Sequence, residues 1–340
     1  MTDIDRAAEI LRAGGLVAFP TETVYGLGAD ATRSDAVMRI FSAKGRAADN
    51  PLIAHVADEA MARRHAAQWP DSAQQLARKF WPGPLTLVVP ASSAIAREVT
   101  AGGPTVGLRS PDHPIAQALL RAFDGPIAAP SANRSERISP TTAEHVRAEL
   151  GGSVDLVLDG GPCRVGIEST VLDLSGKTAT ILRPGAITLE QISAEIGEVR
   201  LGGKQAGKVA ASPGQGPVHY APRLPAFRTS RAEFASAVQQ LLQRGQKLAA
   251  LSIGPLADVP RRQIHFFAEL PELAESYAHE LYAALRRADQ SGADVILVEM
   301  PPEEPQWLAI RDRLMRASKP SSANRMSPLP GPPPEYRERG

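Results

Sequence analysis

Short apolar runs alternate with helix-length amphipathic stretches through most of this chain, and that alternation constrains its fold more than any other feature. Strand-like runs fall at 16–19, 52–56, 85–89, 105–108, 127–129, 156–158, 169–174 and 179–182. Between them, helical spacing predicts a first helix capped by Thr2 or Asp3, with Ile4, Ala7, Ala8, Ile10 and Leu11 on one face. Further helices are predicted at 34–43 (Val37, Met38, Ile40 and Phe41 inward), 71–80, 113–123 and 141–150. The fold class is therefore α/β, and the short late strands separated by turns predict a twisted, partly antiparallel mixed sheet.

The texture changes near residue 200. Residues 201–224 are small, polar and rich in proline and glycine, and read as an interdomain loop. His219 and Tyr220 are unusual in a mere spacer and suggest a binding loop. From 225 to 320 a smaller unit follows, with helices predicted at 231–242, 271–287 and 307–316 and buried strands at 248–253 and 295–298. In the second of these helices Leu273, Tyr277, Leu281 and Leu285 fall on one face. That order predicts a parallel, Rossmann-like sheet, here without a glycine-rich phosphate fingerprint. The proline-rich residues 321–340 read as a mobile tail. The catalytic unit is assigned to 1–200.

With 38 Lys and Arg against 37 Asp and Glu, the formal charge is +1, which gives no whole-chain field for nucleic acid or membrane. One cysteine, Cys163, excludes an intramolecular disulfide and a multi-cysteine zinc site, and reads as structural. No apolar run approaches membrane-spanning length and no secretory leader pattern opens the chain, so a cytoplasmic location is expected. The motifs of P-loop enzymes, zincins, serine hydrolases and zinc ribbons are all missing.

What remains is a set of cationic and small polar groups at predicted strand ends, where α/β sheets place ligands. Lys44 and Arg46, beside Asn50, suit phosphate, or form a solvated pair. Arg109 follows an apolar strand and suits a carboxylate, or a structural salt bridge. Ser131 and Asn133 offer short donors, or make a plain turn. Arg183 ends a strand, as a phosphate contact or for solubility. His55 alone reads more readily as a structural histidine.

Taken together, PTETVYGLG (20–28), KGRAADNPL (44–52), WPGPLTLV (81–88), VGLRSPDHP (106–114), APSAN (129–133), GIESTVLD (166–173) and ILRPG (181–185) closely resemble the YrdC-like family. The resemblance is to its long, two-domain L-threonylcarbamoyladenylate synthases, with SPGQGPVHYAP (212–222) similar to the loop that covers their active site. Gln215-Gly216-Pro217 departs from that family's loop pattern, which puts loop contacts before His219 in doubt. The resemblance implies a YrdC-like mixed sheet and a Rossmann-like C-terminal domain. It implies synthesis of L-threonylcarbamoyladenylate and pyrophosphate from L-threonine, bicarbonate or CO2, and ATP with Mg2+. The product serves modification of adenosine 37 in tRNA through a threonylcarbamoyl-transferase complex, leaving direct tRNA contact open.

By motif, the resemblance puts L-threonine against Thr23, His55, Arg109, the Ala129 backbone and Ser169. It puts ATP against Arg46, Asn50, Thr105, Ser131, Ser139, Arg183 and Tyr220, with Lys44 and Asn133 near the phosphates and the metal held mainly by them. Two alternatives stand beside it. One is an RNA-binding module with a basic concave face, disfavoured by 5% aromatic residues. The other is a carbamoyl-adenylate-forming domain of the hydrogenase-maturation type.

Overall fold

The structure, a computed structural model, describes residues 2–202, 219–256 and 259–321. Residues 203–218 of the expected loop and 322–340 of the expected tail lie outside the described residues.

The first part interleaves helices and strands as the periodicity predicts. In chain order it runs α1 (Asp3–Arg12), β1 (Val17–Phe19), β2 (Gly26–Asp30), α2 (Ser34–Lys44), β3 (Ile53–His55), α3 (Glu59–His65), α4 (Asp71–Phe80), β4 (Leu85–Pro90), β5 (Thr105–Arg109), α5 (Pro114–Phe123), β6 (Ile127–Ala128) and α6 (Ala143–Leu150). After these come β7 (Leu156–Val157), β8 (Thr170–Asp173), β9 (Ala179–Arg183), α7 (Leu189–Ile196) and β10 (Val199–Leu201). Thr2 caps α1 in a reciprocal box with Asp5, which satisfies otherwise orphaned helix N–H groups.

The strands form one ten-stranded sheet in the order β10-β9-β8-β4-β5-β3-β6-β2-β1-β7. It is mixed: β3 runs parallel to β5 and β4 to β8, while β4 and β5, and β8 and β9, are antiparallel. The apolar faces of α1, α2, α4 and α5 close over the sheet, with Leu11, Ile40, Leu76 and Leu119 fully buried in a single core.

The second part runs β11 (Ala226–Thr229), α8 (Arg231–Gln243), β12 (Leu248–Ile253), β13 (Phe266–Leu270), α9 (Ala274–Gln290), β14 (Val295–Glu299), α10 (Leu308–Ala317) and β15 (Lys319–Pro320). Its five strands are all parallel, in the order β13-β12-β14-β11-β15. Side chains alternate between two layers, as strand geometry requires. Leu248 and Ala250 meet Phe234, Val238 and Leu241 of α8, while Ala249 and Leu251 meet Leu281 and Leu285 of α9 and Ile310 and Leu314 of α10.

Two inward assignments are corrected. Met38 is 44% exposed, because α2 buries its Val37, Ile40 and Phe41 side and 38 falls off that arc. Leu273 is 73% exposed, because it is the N-cap of α9, in extended backbone, and lies outside the helical face formed by Tyr277, Leu281 and Leu285.

The two parts share a core. Val24, Ile138 and Ile167 of the first pack with Leu281, Tyr282 and Ile310 of the second, and Tyr220 of the connecting segment is buried with them. Gly166, at φ +83°, lies so close to α9 that an added Cβ would stand 2.5 Å from the Ala278 carbonyl oxygen and 2.6 Å from His279 Cα.

Candidate functional site

The parallel register of β3 and β5 pairs His55 with Arg109, so both side chains leave the same face of the sheet at the carboxyl ends of the two strands. Ser169 stands just before β8, Arg183 ends β9, and the turn after β6 brings in Ala129 and Ser131. Thr23 comes from the segment between β1 and β2. These residues, with Arg46 and Tyr220, line one cavity that also holds Thr21, Val24, Gly26, Ile53, Pro130, Glu168 and His219.

The wall is built of short polar bonds. Thr23 Oγ1 shares a hydrogen bond with Thr21 Oγ1 at 2.8 Å, and Ser169 Oγ one with Thr86 Oγ1 at 2.8 Å. Arg183 is buried and donates from Nε to the Ser169 carbonyl (3.1 Å) and from Nη2 to Ser169 Oγ (3.2 Å). Arg46 folds over its own loop, donating to the carbonyls of Asn50 (3.3 Å) and Pro51 (3.0 Å). Burial pulls its guanidinium down to about 10, so it stays charged near neutrality.

Arg109 is already paired. Its Nη2 lies 2.7 Å from Oε1 of Glu22, and both side chains are almost wholly buried. Glu22 Oε2 accepts from the Asp112 N–H at 3.0 Å, and Arg109 Nε donates to the Gly83 carbonyl at 3.2 Å. Both the carboxylate-binding and the salt-bridge readings therefore bear on this arginine: it lines the cavity and it carries an internal counter-ion.

His55 and His219 both face the cavity as neutral imidazoles. Burial, reinforced at His55 by Arg109, drives each down to about 3. Their Nδ1 atoms and the Tyr220 hydroxyl are buried with no hydrogen-bond partner among the described residues. Buried polar atoms are rarely left unmatched, and three of them on residues that line one cavity mark it as a place for a polar ligand.

The remaining predicted residues stand apart from the cavity wall. Lys44 ends α2 and is buried, its ammonium donating to the backbone carbonyls of Ser131 and Asn133. Burial, then Arg46, pushes its pKa well down. It braces the turn that carries Ser131. Asn133 is buried and closes that turn through Nδ2, which donates to the carbonyls of Arg134 (2.7 Å) and Arg137 (2.8 Å). Asn50 is half-buried, with Oδ1 unpartnered among the described residues. Thr105 opens β5 on the same face as Arg109 but four residues away, about 13 Å at ordinary strand rise. Ser139 Oγ donates to Glu168 Oε1 at 2.5 Å.

The principal residue missed from sequence is Glu168. It lines the cavity and accepts from Ser139, from the Tyr282 hydroxyl and from Arg313 Nε. Its only signal was membership of the segment 166–173. Cys163 is buried and its thiol is pushed up to about 12, as a structural residue requires.

The broad twisted mixed sheet, which here carries a buried cationic pocket at its strand ends, has the fold of the Sua5, YciO and YrdC class. Residues 9–185 match that class's family model, described as "Telomere recombination", and residues 187–319 match "Threonylcarbamoyl-AMP synthase, C-terminal domain". Within the class, the chain belongs to the long, two-domain threonylcarbamoyl-AMP synthase family. It is 42% identical to the threonylcarbamoyl-AMP synthase of Pyrococcus abyssi, over 92% of this chain and 93% of that one. It is 43% identical to that of Bacillus subtilis, over 93% and 92%. The crystal structure of P. abyssi Sua5 complexed with L-threonine superposes with a TM-score of 0.86 at 41% identity, covering 93% of this chain and 95% of that one.

Proposed function

We propose that this chain joins L-threonine, bicarbonate or CO2, and ATP into L-threonylcarbamoyladenylate and pyrophosphate, for N6-threonylcarbamoyladenosine at tRNA position 37. The observation that carries the residue-level reading is one cavity gathering Thr23, His55, Arg109, Ala129 and Ser169 with Arg46, Ser131, Arg183 and Tyr220. The first five would form the L-threonine end and the others the ATP end. Lys44, Asn133 and Ser139 would act from behind, and Asn50 and Thr105 from the nucleotide side.

The chemistry suits such a site. The threonine nitrogen attacks the carbon of CO2, forming an N–C bond and releasing one proton to solvent. A carbamate oxygen then attacks the α-phosphorus of ATP, the new O–P bond forms, and the bond to pyrophosphate breaks. The carbamate is already an anion and needs no general base. Imidazoles held near 3 are poor bases at neutral pH, so His55 and His219 fit hydrogen-bonding rather than proton-abstracting roles. Alignment and charge neutralisation by Arg46 and Arg183 would carry the rate.

The cavity measures about 50 Å³, against roughly 300 Å³ or more for pockets that take small ligands. The roof formed by His219 and Tyr220 would move out to admit ATP and return to exclude water from a labile carbamate. As for Mg2+, no cluster of three acidic, histidine or cysteine side chains occurs among the described residues. Among the described residues the one carboxylate on the cavity wall, Glu168, is held by Arg313, Tyr282 and Ser139. The protein groups therefore do not fit a dedicated metal site, and the ion would arrive with the ATP phosphates.

The end of the first sheet at Leu201 and the start of the second at Ala226 support a catalytic unit over 1–200, a covering segment over 201–224 and a C-terminal unit over 225–320. No helix among the described residues is long and apolar enough to cross a membrane. A cytoplasmic location is our reading, from its use of ATP and a product destined for tRNA modification, with hand-over to a tRNA threonylcarbamoyl-transferase complex and direct tRNA contact left open.

The test is pyrophosphate release with ATP, bicarbonate and each amino acid in turn. Release that depends on threonine is the expected result. Release driven equally by other amino acids, or by carbamoyl phosphate without threonine, would overturn the reading.

A further inference from the structure

Arg313, on α10, is fully buried. A guanidinium does not lose its proton in a protein, so its charge must be matched where it lies. Nε donates to Glu168 Oε2 at 2.8 Å, Nη2 reaches the Glu168 carbonyl at 3.4 Å, and Nη1 bonds Asp312 Oδ2 at 3.0 Å. The hydroxyl of Tyr282, on α9, donates to the same Glu168 Oε2 at 2.9 Å. A carboxylate on the wall of the cavity in the first part of the chain is thus gripped by two side chains of the second.

The same two side chains hold Tyr220. Arg313 Cζ lies 5.2 Å from the centre of its ring, and the Tyr282 ring stacks on it at 5.8 Å with 26° between planes. Tyr220 is 1% exposed and sits at φ +61°, a left-handed conformation that a side-chain-bearing residue keeps only when its surroundings impose it. Its neighbours are tied down as well: the Ala221 N–H donates to the Glu136 carbonyl at 2.8 Å and the His219 N–H to the Arg316 carbonyl at 3.3 Å. Its hydroxyl has no partner among the described residues, and the residue lines the cavity.

We propose that Arg313 and Tyr282 are positioning residues of the active site, and that the C-terminal unit serves to lock Glu168 and hold the Tyr220 hydroxyl toward a phosphate oxygen of bound ATP. This rests on the synthase reading above. The C-terminal unit then backs the catalytic roof from outside the cavity, through a contact that no local sequence pattern would reveal.

The electrostatics offer a signature that simple fastening lacks. Glu168 is faced by Arg313 from α10, Tyr282 from α9, Arg183 from the end of β9, Ser139 from the segment before α6, and His219 and Tyr220 from the connecting segment. Burial alone would push its carboxyl up. Arg313 and then Arg183, with the Ser139 hydrogen bond, reverse that and hold it at about 2. Without the Arg313 charge the carboxyl pKa rises, so activity is kept above the new value and lost as pH falls through it.

The experiment uses full-length Tyr282→Phe, Arg313→Gln and Arg313→Lys. It measures threonine-dependent pyrophosphate release against pH, with calorimetric binding of ATP and of threonine separately. Tyr282→Phe loses one hydroxyl and should stay folded, bind threonine as before, bind ATP more weakly, and lose roughly tenfold to a hundredfold in kcat. Arg313→Gln should move the acid limb of the profile up by more than about one pH unit, and Arg313→Lys should restore its position. Folded variants with wild-type kcat, ATP affinity and acid limb would overturn the proposal, as would parallel loss of threonine binding and thermal stability. A wild-type protein that binds ATP in the Tyr282-dependent way but releases no pyrophosphate with threonine would instead overturn the synthase reading.

Discussion

At the scale of single residues, the site is governed by what each charged group is already bound to. Arg109 illustrates this. Its pairing with Glu22 means that Arg109→Ala would strand a buried carboxylate, at a cost of about 3–5 kcal/mol. The informative change is Arg109→Lys, which keeps the charge beside Glu22 but removes the planar fork. It should leave the fold intact and raise the KM for threonine about tenfold or more, with the KM for ATP nearly unchanged. Steady-state kinetics with each substrate varied in turn would check it, and a larger effect on ATP would remove Arg109 from the threonine end. Lys44 teaches the complementary lesson. A cation two residues from Arg46 reads as its partner on phosphate, yet its ammonium faces the backbone of the Ser131 turn. Chain proximity puts two side chains in one neighbourhood, and the helix cap between them decides which way each turns. Here Gly45, the left-handed C-cap of α2, falls between them.

At the scale of elements, the strand ends that carry the site are spaced by very close backbone contacts. A Cβ on Gly185 would stand 2.2 Å from the Thr170 nitrogen and 2.8 Å from the Glu168 carbonyl oxygen, all of it backbone. The loop after β9 and the entry to β8 approach each other only because that side chain is missing. Gly185→Ala should therefore part them, displace Ser169 and Glu168, destabilise by about 1–3 kcal/mol and cut turnover more than that loss explains. Denaturant midpoints beside kcat would show it, and a variant with unchanged kcat would mean the two loops can separate without moving the site. Element existence was largely legible from sequence: α4 and β12 fall where periodicity puts them. The short strands β2, β10, β11, β13 and β15 and the helices α3 and α7 have no counterpart in the periodicity. Gly26-Leu27-Gly28 in β2 has no strand-like side-chain pattern, and its place in the sheet comes from pairing with β1 and β6.

At the scale of the whole molecule, the seam between the two units is where acid should act. His55 and His219 titrate near 6.5 when unfolded and about 3 when folded, so the unfolded chain takes up protons first. Their contribution is complete above about pH 6.5 and is lost as pH falls toward 3, at roughly 1.4 kcal/mol per pH unit for each group. Glu168 adds the same sign only below its unfolded value of 4.5, and its share is lost as pH falls through about 2. Urea midpoints should thus decline between about pH 6.5 and 4.5, and His219→Gln should flatten the slope. A flat wild-type curve over that window would show that water reaches both imidazoles in the folded state.

By itself, the sequence determined the alternating elements, the two-sheet class and a family whose ordered motifs pick out nine of the residues that line the cavity. Those are properties of local periodicity and of short segments, and they survive being read along a line. Only the tertiary structure decided that Arg109 has Glu22 for a counter-ion, that Lys44 turns away from the cavity, and that Glu168 belongs to a network with Tyr282 and Arg313. Arg313 lies 145 positions along the chain from Glu168, and no pattern of hydrophobicity or spacing encodes so distant a pairing. A buried charge takes as its partner whatever the packing of the two units places within hydrogen-bond reach, because leaving it unmatched out of water costs more than any local preference can return.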